Sequence, residues 1–405
     1  MKEIKFQPIL LASDINVYSM ARAFHEEYGI KSLVIARNDS GIIKDSKILI
    51  YEEEKHMNET DVFLKKLDEI YNRYKKNEKD IKLLLIGCAD HYVRLIVENK
   101  EKLKEKFIVP YTDKEILDNI VLKETFYELC EKYKLDYPKT FVYTKKTKKN
   151  FKLDFDFPVI LKPSDSVEYW RAPFENQYKV FKINNREELI NTLDKIYNAG
   201  YKGNMIIQDI IPGKDECMYD LHVYVGKDHR VKLMNLGNVL LEEHTPQGIG
   251  SNAATLTVYN EEIMMKVKEV LEGIKYSGWA DCDLKYDSRD GKLKIFEINI
   301  RQGRSHYRVT GSGNNVAKYI VDDYIYDKKM DLKLVKEPYF WHMIPMGIVY
   351  KYVKDKEKLK IVKKLVKGKK TCNSIFYKKD LGFKRLIRFT LKYINQFVKF
   401  KKYYK

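Results

Sequence analysis

The stretch that most limits what this chain can become is residues 279–305, WADCDLKYDSRDGKLKIFEINIRQGRS. Two runs with strand character flank Ser288-Arg289-Asp290-Gly291, so a β-hairpin is expected. Glu297, Asn299 and Arg301 alternate with Phe296, Ile298 and Ile300. On a strand this puts the polar residues on one face and the apolar ones on the other. A carboxylate, an amide and a guanidinium in so apolar a run need partners, because burying them unpaired costs several kcal/mol, roughly. Asp283 adds a second carboxylate from the preceding strand. Asp, Glu and Asn supply the hard oxygen ligands that magnesium prefers, and a divalent cation carrying phosphates would satisfy the whole set. Hairpin parity decides whether they can meet. With a two-residue Asp290-Gly291 turn, Asp283 would oppose Ile298 and point away from Glu297. A shared ion therefore predicts an odd loop, roughly three or five residues long, with Asp283 facing Glu297 or Asn299.

Length and composition bound the rest. A chain of 405 residues exceeds one ordinary core, so two or three domains are expected. With 44% hydrophobic and 33% charged residues it reads as soluble and globular. No apolar run approaches a membrane span, and MKEIKFQPILLASD carries no signal-peptide pattern. Cys88, Cys130, Cys217, Cys282 and Cys372 lack CxxC spacing, which predicts reduced thiols in a cytoplasm and no zinc site. The net charge is +18, and residues 351–405 supply +17 of it, with 20 Lys and Arg against 3 Asp and Glu. The body is near neutral, so the chain as a whole does not read as a nucleic-acid binder.

Along the chain, FQPILLA (6–12), KSLVIA (31–36) and IKLLLIGC (81–88) read as buried strands. They alternate with helical patterns at 17–28, closed by Gly29, and at about 58–76. The alternation predicts a parallel α/β sheet at the N-terminus, with ligand contacts beyond its strand ends. Asp90 and His91 fall there, and they equally suit the first turn of the next helix. A helix is expected over 113–135, carrying Lys123, then strands at 140–144 and 157–165, the latter closing on Lys162-Pro163. A lysine at such a strand end can hold a phosphate as a point charge. A helix at 186–198, a strand within 204–216, a hairpin over 221–237, a polar loop at 241–256 and an amphipathic helix at 260–275 follow. Beyond residue 330 the chain turns aromatic and lysine-rich. Residues 381–400 fit a helix with Phe383, Leu386, Ile387, Leu391, Ile394, Phe397 and Val398 on one face. Lys384, Arg385, Arg388, Lys392 and Lys399 lie mostly on the other. Two readings stand open: the apolar face docks on the body, or it lies on an anionic membrane.

Lys123, Lys162, QDIIPG with Asp215 and Glu216 beyond it, Asp283, and Glu297-Ile298-Asn299-Ile300-Arg301 occur in one order. That order resembles the ATP-grasp superfamily of carboxylate–amine ligases, over roughly residues 1–325. FEINIRQGRS, KPSDSVEYW and LEEHTPQGIG look closest to the subgroup containing the bacterial D-aspartate ligases, which extend the lysine of a UDP-linked peptidoglycan precursor. The resemblance implies a mixed α/β and α+β ATP-grasp fold. It would comprise a Rossmann-like domain (1–112), an ATP-grasp domain (113–330, lid about 113–205) and a basic helical extension (331–405). It implies ATP and magnesium as cofactors. Lys123 and Lys162 would meet the ATP phosphates, with Ser164 in the loop that follows. Gln208, Asp209, Ile210 and Ile211 would form the adenine hinge, and Asp215 or Glu216 would reach the ribose. Asp283, Glu297 and Asn299 would hold magnesium, and Arg301 would stabilise the transferred phosphoryl. Arg304 suits a substrate carboxylate, which a guanidinium grips bidentately. Where many members carry glycines after the second lysine, this chain has Ser164–Trp170 without one, so hydroxyls are expected to replace backbone cradling.

These parts imply a reaction in which the γ-phosphoryl activates a carboxylate and an amine displaces phosphate. Asp90 and His306 are the base candidates. Other readings are a dipeptide ligase with no cell-wall role, and a nucleotide-regulated protein that binds membrane or nucleic acid. In the last, Phe376, Tyr377, Phe383, Phe389, Tyr393 and Phe400 would interleave with lysines as stacking platforms.

Overall fold

The computed structural model describes residues 4–246 and 248–404. The expected alternation builds a four-stranded parallel sheet. Its order across the sheet is Leu49–Glu53, Ser32–Ala36, Phe6–Leu11, Lys82–Gly87. Three of these strands are hydrophobic runs that fill a core with helices Ile15–Tyr28 and Thr60–Asn77. Leu49–Glu53 was not anticipated, because an edge strand of Leu-Ile-Tyr-Glu-Glu is half solvated and carries little apolar signal. Asp14 caps the first helix by accepting from the Asn16 and Val17 N–H groups, and Gly29 closes it with φ 66°. The helix expected over 113–135 is two, Lys114–Val121 and Lys123–Lys132, because Leu122 between them is extended, with ψ 123°.

A second, antiparallel sheet runs Thr140–Tyr143, Met205–Asp209, Val159–Pro163, Phe181–Ile183. It packs its own small core of Tyr143, Leu161, Tyr169, Leu193 and Ile207 against helix Arg186–Asn198. The third sheet has eight strands and is built around Met218–Val225, Val231–Glu243, Gly278–Asp287 and Lys292–Asn299. The polar loop expected at 241–256 is shorter than read. Strands extend to Glu243 and resume at Ser251, which pairs back through Asn252 and Ala254. The extension beyond 330 is helical, and it also supplies strands to this sheet: Lys333–Leu334, Phe340–His342 and Thr371–Cys372.

The C-terminal helix, Phe383–Tyr403, docks on the body, but by the face opposite to the apolar one. Arg385 is fully buried, pairs with Asp380 at 2.9 Å and donates to the Ile42 and Lys44 carbonyls. Phe389 and Phe400 are buried beside it, and Tyr377 is too. These aromatics are therefore spent on packing and are not free for base stacking. Among the described residues no helix is long and apolar enough to cross a membrane.

The large sheet also encloses a charged network. Arg308, fully buried, donates to Asp220 at 2.6 Å, Thr255 at 2.7 Å and Asn235 at 3.1 Å. Gly237 makes room for it, since a Cβ there would fall 2.1 Å from the guanidinium Nη1. Removing one partner of a buried ion pair leaves the other charge uncompensated. Arg308→Met is therefore expected to cost about 3–5 kcal/mol, read as a lower urea midpoint.

Candidate active site

Asp283 lies opposite Glu297, as a shared ion requires, but an odd loop is not the cause. Asp287 pairs with Lys292, so four residues form the loop. That loop alone would set Asp283 against Phe296. A β-bulge between the Asp283 and Leu284 pairings shifts the register by one and brings Glu297 round. The same bulge changes the fate of Phe296. Strict alternation would put it on the far face with Ile298, yet it lines the same cavity as Glu297.

That cavity holds about 340 Å³ and lies between the second and third sheets. Lys123, Lys162 and Lys179 face Asp283, Glu297 and Glu242 across it, and Met218, Tyr219, Val239 and Phe296 give it apolar walls. Lys123 Nζ is 3.7 Å from Glu297. Lys162 Nζ donates to the Tyr127 hydroxyl at 3.2 Å and to Gln208 Oε1 at 3.0 Å. It sits 5.8 Å from the Phe296 ring centre. Burial, and then the neighbouring Lys123, pull the Lys162 ammonium down to about 7. Burial would raise the Glu297 carboxyl, but Lys123, Lys162 and Lys179 together hold it below the usual range. Burial, Asp281 and Glu297 push Asp283 well above that range. Burial and Asp215 raise Glu242 to about 7. Asn299 donates to Asp283 Oδ2 at 3.1 Å.

Among the described residues no cluster of three or more His, Cys, Asp or Glu side chains could hold a metal. Two carboxylates and an amide remain, the kind of partial set through which magnesium is held together with substrate phosphates. Burial first, then Asp281 and Glu297, raise Asp283, and a divalent cation held there would favour its ionised form.

The other sequence candidates fall in several places. Ser164 is buried with no partner for its hydroxyl. Gln208 is buried behind Lys162, its amide donating to Tyr127 and Thr140. Asp209 pairs with Arg289 at 2.6 Å and, with Ile210, lines a separate depression, while Ile211 is buried. Asp215 accepts from the Glu242 N–H and lies 2.9 Å from His244 Nε2. The Glu216 carbonyl accepts from Asn238. Arg301 pairs with Asp90 at 2.9 Å, so Asp90 is occupied and is not a free base. His306 is fully buried, its Nδ1 is 2.7 Å from the Gly303 carbonyl, and burial lowers it to about 3, which removes it as a base as well. Arg304 pairs with Glu243 at 2.5 Å, and its Nε is left without a partner.

Sequence reasoning missed Lys179, Glu242, Asn252 and Tyr127. Lys179 stands in the excursion that follows the glycine-free segment, where one lysine among many carries no signal. Glu242 ends the apolar run VLLE, and a carboxylate closing such a run was the available clue.

Two lysines closing on a carboxylate pair across a slot between a small antiparallel sheet and a large one define an ATP-grasp carboxylate–amine ligase. The fold agrees. An L-amino acid ligase from Bacillus licheniformis superposes with a TM-score of 0.54 at 15% identity, covering 80% of this chain and 75% of that one. An N5-carboxyaminoimidazole ribonucleotide synthetase in an ADP complex gives 0.58 at 11%, covering 84% and 81%. No family model matches. In sequence the chain is 39% identical over 414 aligned residues to the D-aspartate ligase of Enterococcus faecium (strain Aus0004), covering 99% of this chain and 97% of that one. The chain belongs to that ligase's family and is an ATP-dependent, C–N bond-forming enzyme.

Were Lys162, which burial lowers to about 7, to contact the ATP phosphates, their affinity would depend on pH: its protonated form would attract them, so affinity would be full below about 7 and fall as pH rises through it. The KM for ATP is expected to rise several-fold between slightly acid and slightly alkaline pH. In Lys162→Arg, which stays charged, that slope should vanish. Initial rates across a pH series check both.

Proposed function

We propose that the enzyme phosphorylates a carboxylate of D-aspartate with ATP and passes the aspartyl group to an amine, the lysine side chain of a UDP-linked peptidoglycan precursor. The observation that carries the reaction type is the convergence of Lys123, Lys162, Asp283 and Glu297 on one cavity. The likeness to the enterococcal ligase supports D-aspartate. Lys123, Lys162 and Lys179 take the phosphates, and the apolar walls at Met218, Val239 and Phe296 take the base. The backbone of Gln208, Asp209, Ile210 and Ile211 would form the hinge, although Asp209 and Ile210 line a depression separate from that cavity, and Asp215 or Glu216 would meet the ribose. Magnesium held by Asp283, Glu297 and Asn299 would neutralise charge on the phosphates. The carboxylate oxygen attacks the γ-phosphorus, ADP leaves, and the acyl phosphate now has a good leaving group. The amine nitrogen attacks its carbonyl carbon, phosphate departs, and the nitrogen sheds a proton to leave the amide.

Arg301 and Arg304 lie on the segment that follows Glu297, close to the strand ends of the parallel sheet. Asp14 and Asp90 of that sheet feel their charge. Open α/β sheets bind ligands at that edge. Arg304 is partly exposed beside Glu243, and its planar guanidinium suits the substrate's second carboxylate. No buried base is needed if the amine arrives neutral from a minor population. The free cysteines and the need for ATP support a cytoplasmic enzyme.

Two variants separate the roles. Glu297→Gln should keep its melting temperature and lose ADP release by at least about a hundredfold. Full turnover in that variant would remove the metal assignment. Arg304→Ala should raise the KM for D-aspartate by about ten- to a hundredfold and leave the KM for ATP near its starting value, as expected for a lost charge-assisted pair. ADP release screened over D- and L-amino acids, with and without a UDP-linked pentapeptide, tests the substrates. Amide formation from free amino acids alone would replace this reading with a dipeptide ligase.

A further inference from the structure

The C-terminal helix is pinned in an unusual sense. Arg385 and Arg388 face the protein, with Phe389 and Phe400 packed beside them, while a separate apolar stripe faces out. Arg385 is locked by Asp380 and two carbonyls, and Arg388 donates to the Lys44 carbonyl and pairs with Asp45. Asp380 is itself fixed by the Tyr18 hydroxyl at 2.8 Å and Ser46 at 2.9 Å. The helix therefore cannot roll about its axis without breaking the buried Arg385–Asp380 pair.

The outward face carries Phe383, Ile387, Leu391, Ile394 and Val398, spaced by four, four, three and four residues, with Leu386 alongside. This spacing makes one stripe on a helix. Phe383 is 79% exposed, Leu391 62% and Val398 62%. The stripe runs about 22 Å at the usual helical rise. Contiguous exposed apolar surface of this kind marks a docking face.

Charge identifies the occupant. The helix contains no acidic residue, Lys384, Lys401 and Lys402 are exposed along its margin and end, and residues 351–405 carry +17. A second copy would bring two such tails together, which like-charge repulsion opposes. A nucleic acid would meet leucines and isoleucines, with Phe389 and Phe400 turned inward. An apolar stripe edged by lysines matches a surface with acyl chains below and anionic headgroups above.

We propose that residues 383–403 seat the enzyme on an anionic lipid bilayer, the stripe lying in the headgroup–acyl boundary and the helix parallel to the surface. The ligase reading is not needed for this: no residue of the helix lines the active-site cavity, and the outward stripe is on the face turned away from Phe400, which packs beside Glu243 and His244.

The test is sedimentation of the full chain with vesicles of phosphatidylglycerol and phosphatidylcholine, and with vesicles of phosphatidylcholine alone. The double variant Leu391→Asn/Ile394→Asn is compared, both positions being exposed and outside the active site. The wild type should bind the anionic vesicles, and more weakly as salt rises. The double variant should bind at least about tenfold less, with unchanged melting temperature and ADP release. Equal binding by the double variant overturns the proposal, as does a wild type that fails to bind anionic vesicles. A dimer that the double variant dissolves, with no vesicle binding, would assign the stripe to a second copy instead. Binding to an RNA oligonucleotide that excludes vesicles and survives in the double variant would also overturn it.

Discussion

Two carboxylates on adjoining strands share a ligand only if they lie on the same side of the sheet. In a hairpin that is a question of parity. Here the four-residue loop has the wrong parity, and the bulge at Phe296 corrects it. The consequences reach beyond Asp283 and Glu297. The displaced Phe296 gives the cavity an aromatic wall beneath Lys162. Its carbonyl accepts from the Tyr127 hydroxyl at 3.2 Å, and that same hydroxyl accepts from Lys162 and Gln208. One extra residue thus couples the metal-type face of the large sheet to the lysine of the small one. The loop is held in turn by Arg289, which bridges Asp287 of its own hairpin and Asp209 of the small sheet. A shift in hairpin register would therefore separate the carboxylates and loosen the two sheets together.

Much of this was legible in the sequence where one physical rule dominated. The buried strands of the parallel sheet announced themselves as apolar runs, and Gly29 marked the end of the first helix. The expectation that Asp283 face Glu297 or Asn299 followed from chemistry, and the structure pairs it with Glu297. The means did not follow, because a bulge leaves no mark in a run such as KLKIFEIN, where each residue suits a regular strand. Lys179 was invisible for another reason. It reaches the site through an excursion whose path depends on tertiary packing. The amphipathic pattern at 381–400 was read correctly as a pattern and left open as to direction. Which face docks was decided by Asp380 and the carbonyls at Ile42 and Lys44, all distant in sequence.

The extension beyond 330 also changes meaning once folded. Its composition suggested a basic appendage. Instead, Phe340–His342 adds to the edge of the large sheet, and Arg22 of the first helix donates to the carbonyls of Asn373 and Ser374. Together with the Asp380–Arg385 pair, this ties the parallel sheet to the large one. An extension that spans both sheets restricts how far the parallel sheet can move from the slot above Glu297. The tail's lysines are thus carried on a rigid platform, which is why its charge can be aimed at all.

Under the proposed reaction, that restriction bears on the substrate arginines. Arg301 is held by Asp90 and Arg304 by Glu243. Neither can serve a phosphoryl group or a carboxylate with those nitrogens while the pair persists. Both pairs are partly buried, Glu243 being the most enclosed of the four groups, so opening either one without a replacement anion would leave a charge uncompensated. An incoming anion would replace one carboxylate by another at small net electrostatic cost. In that reaction Asp90 and Glu243 would act as placeholders, keeping two guanidinium groups ordered at the crevice edge before substrate binds. Because Asp90 rides on the parallel sheet and Arg301 on the hairpin strand's extension, the tie set by the C-terminal segment also fixes the distance over which that exchange takes place.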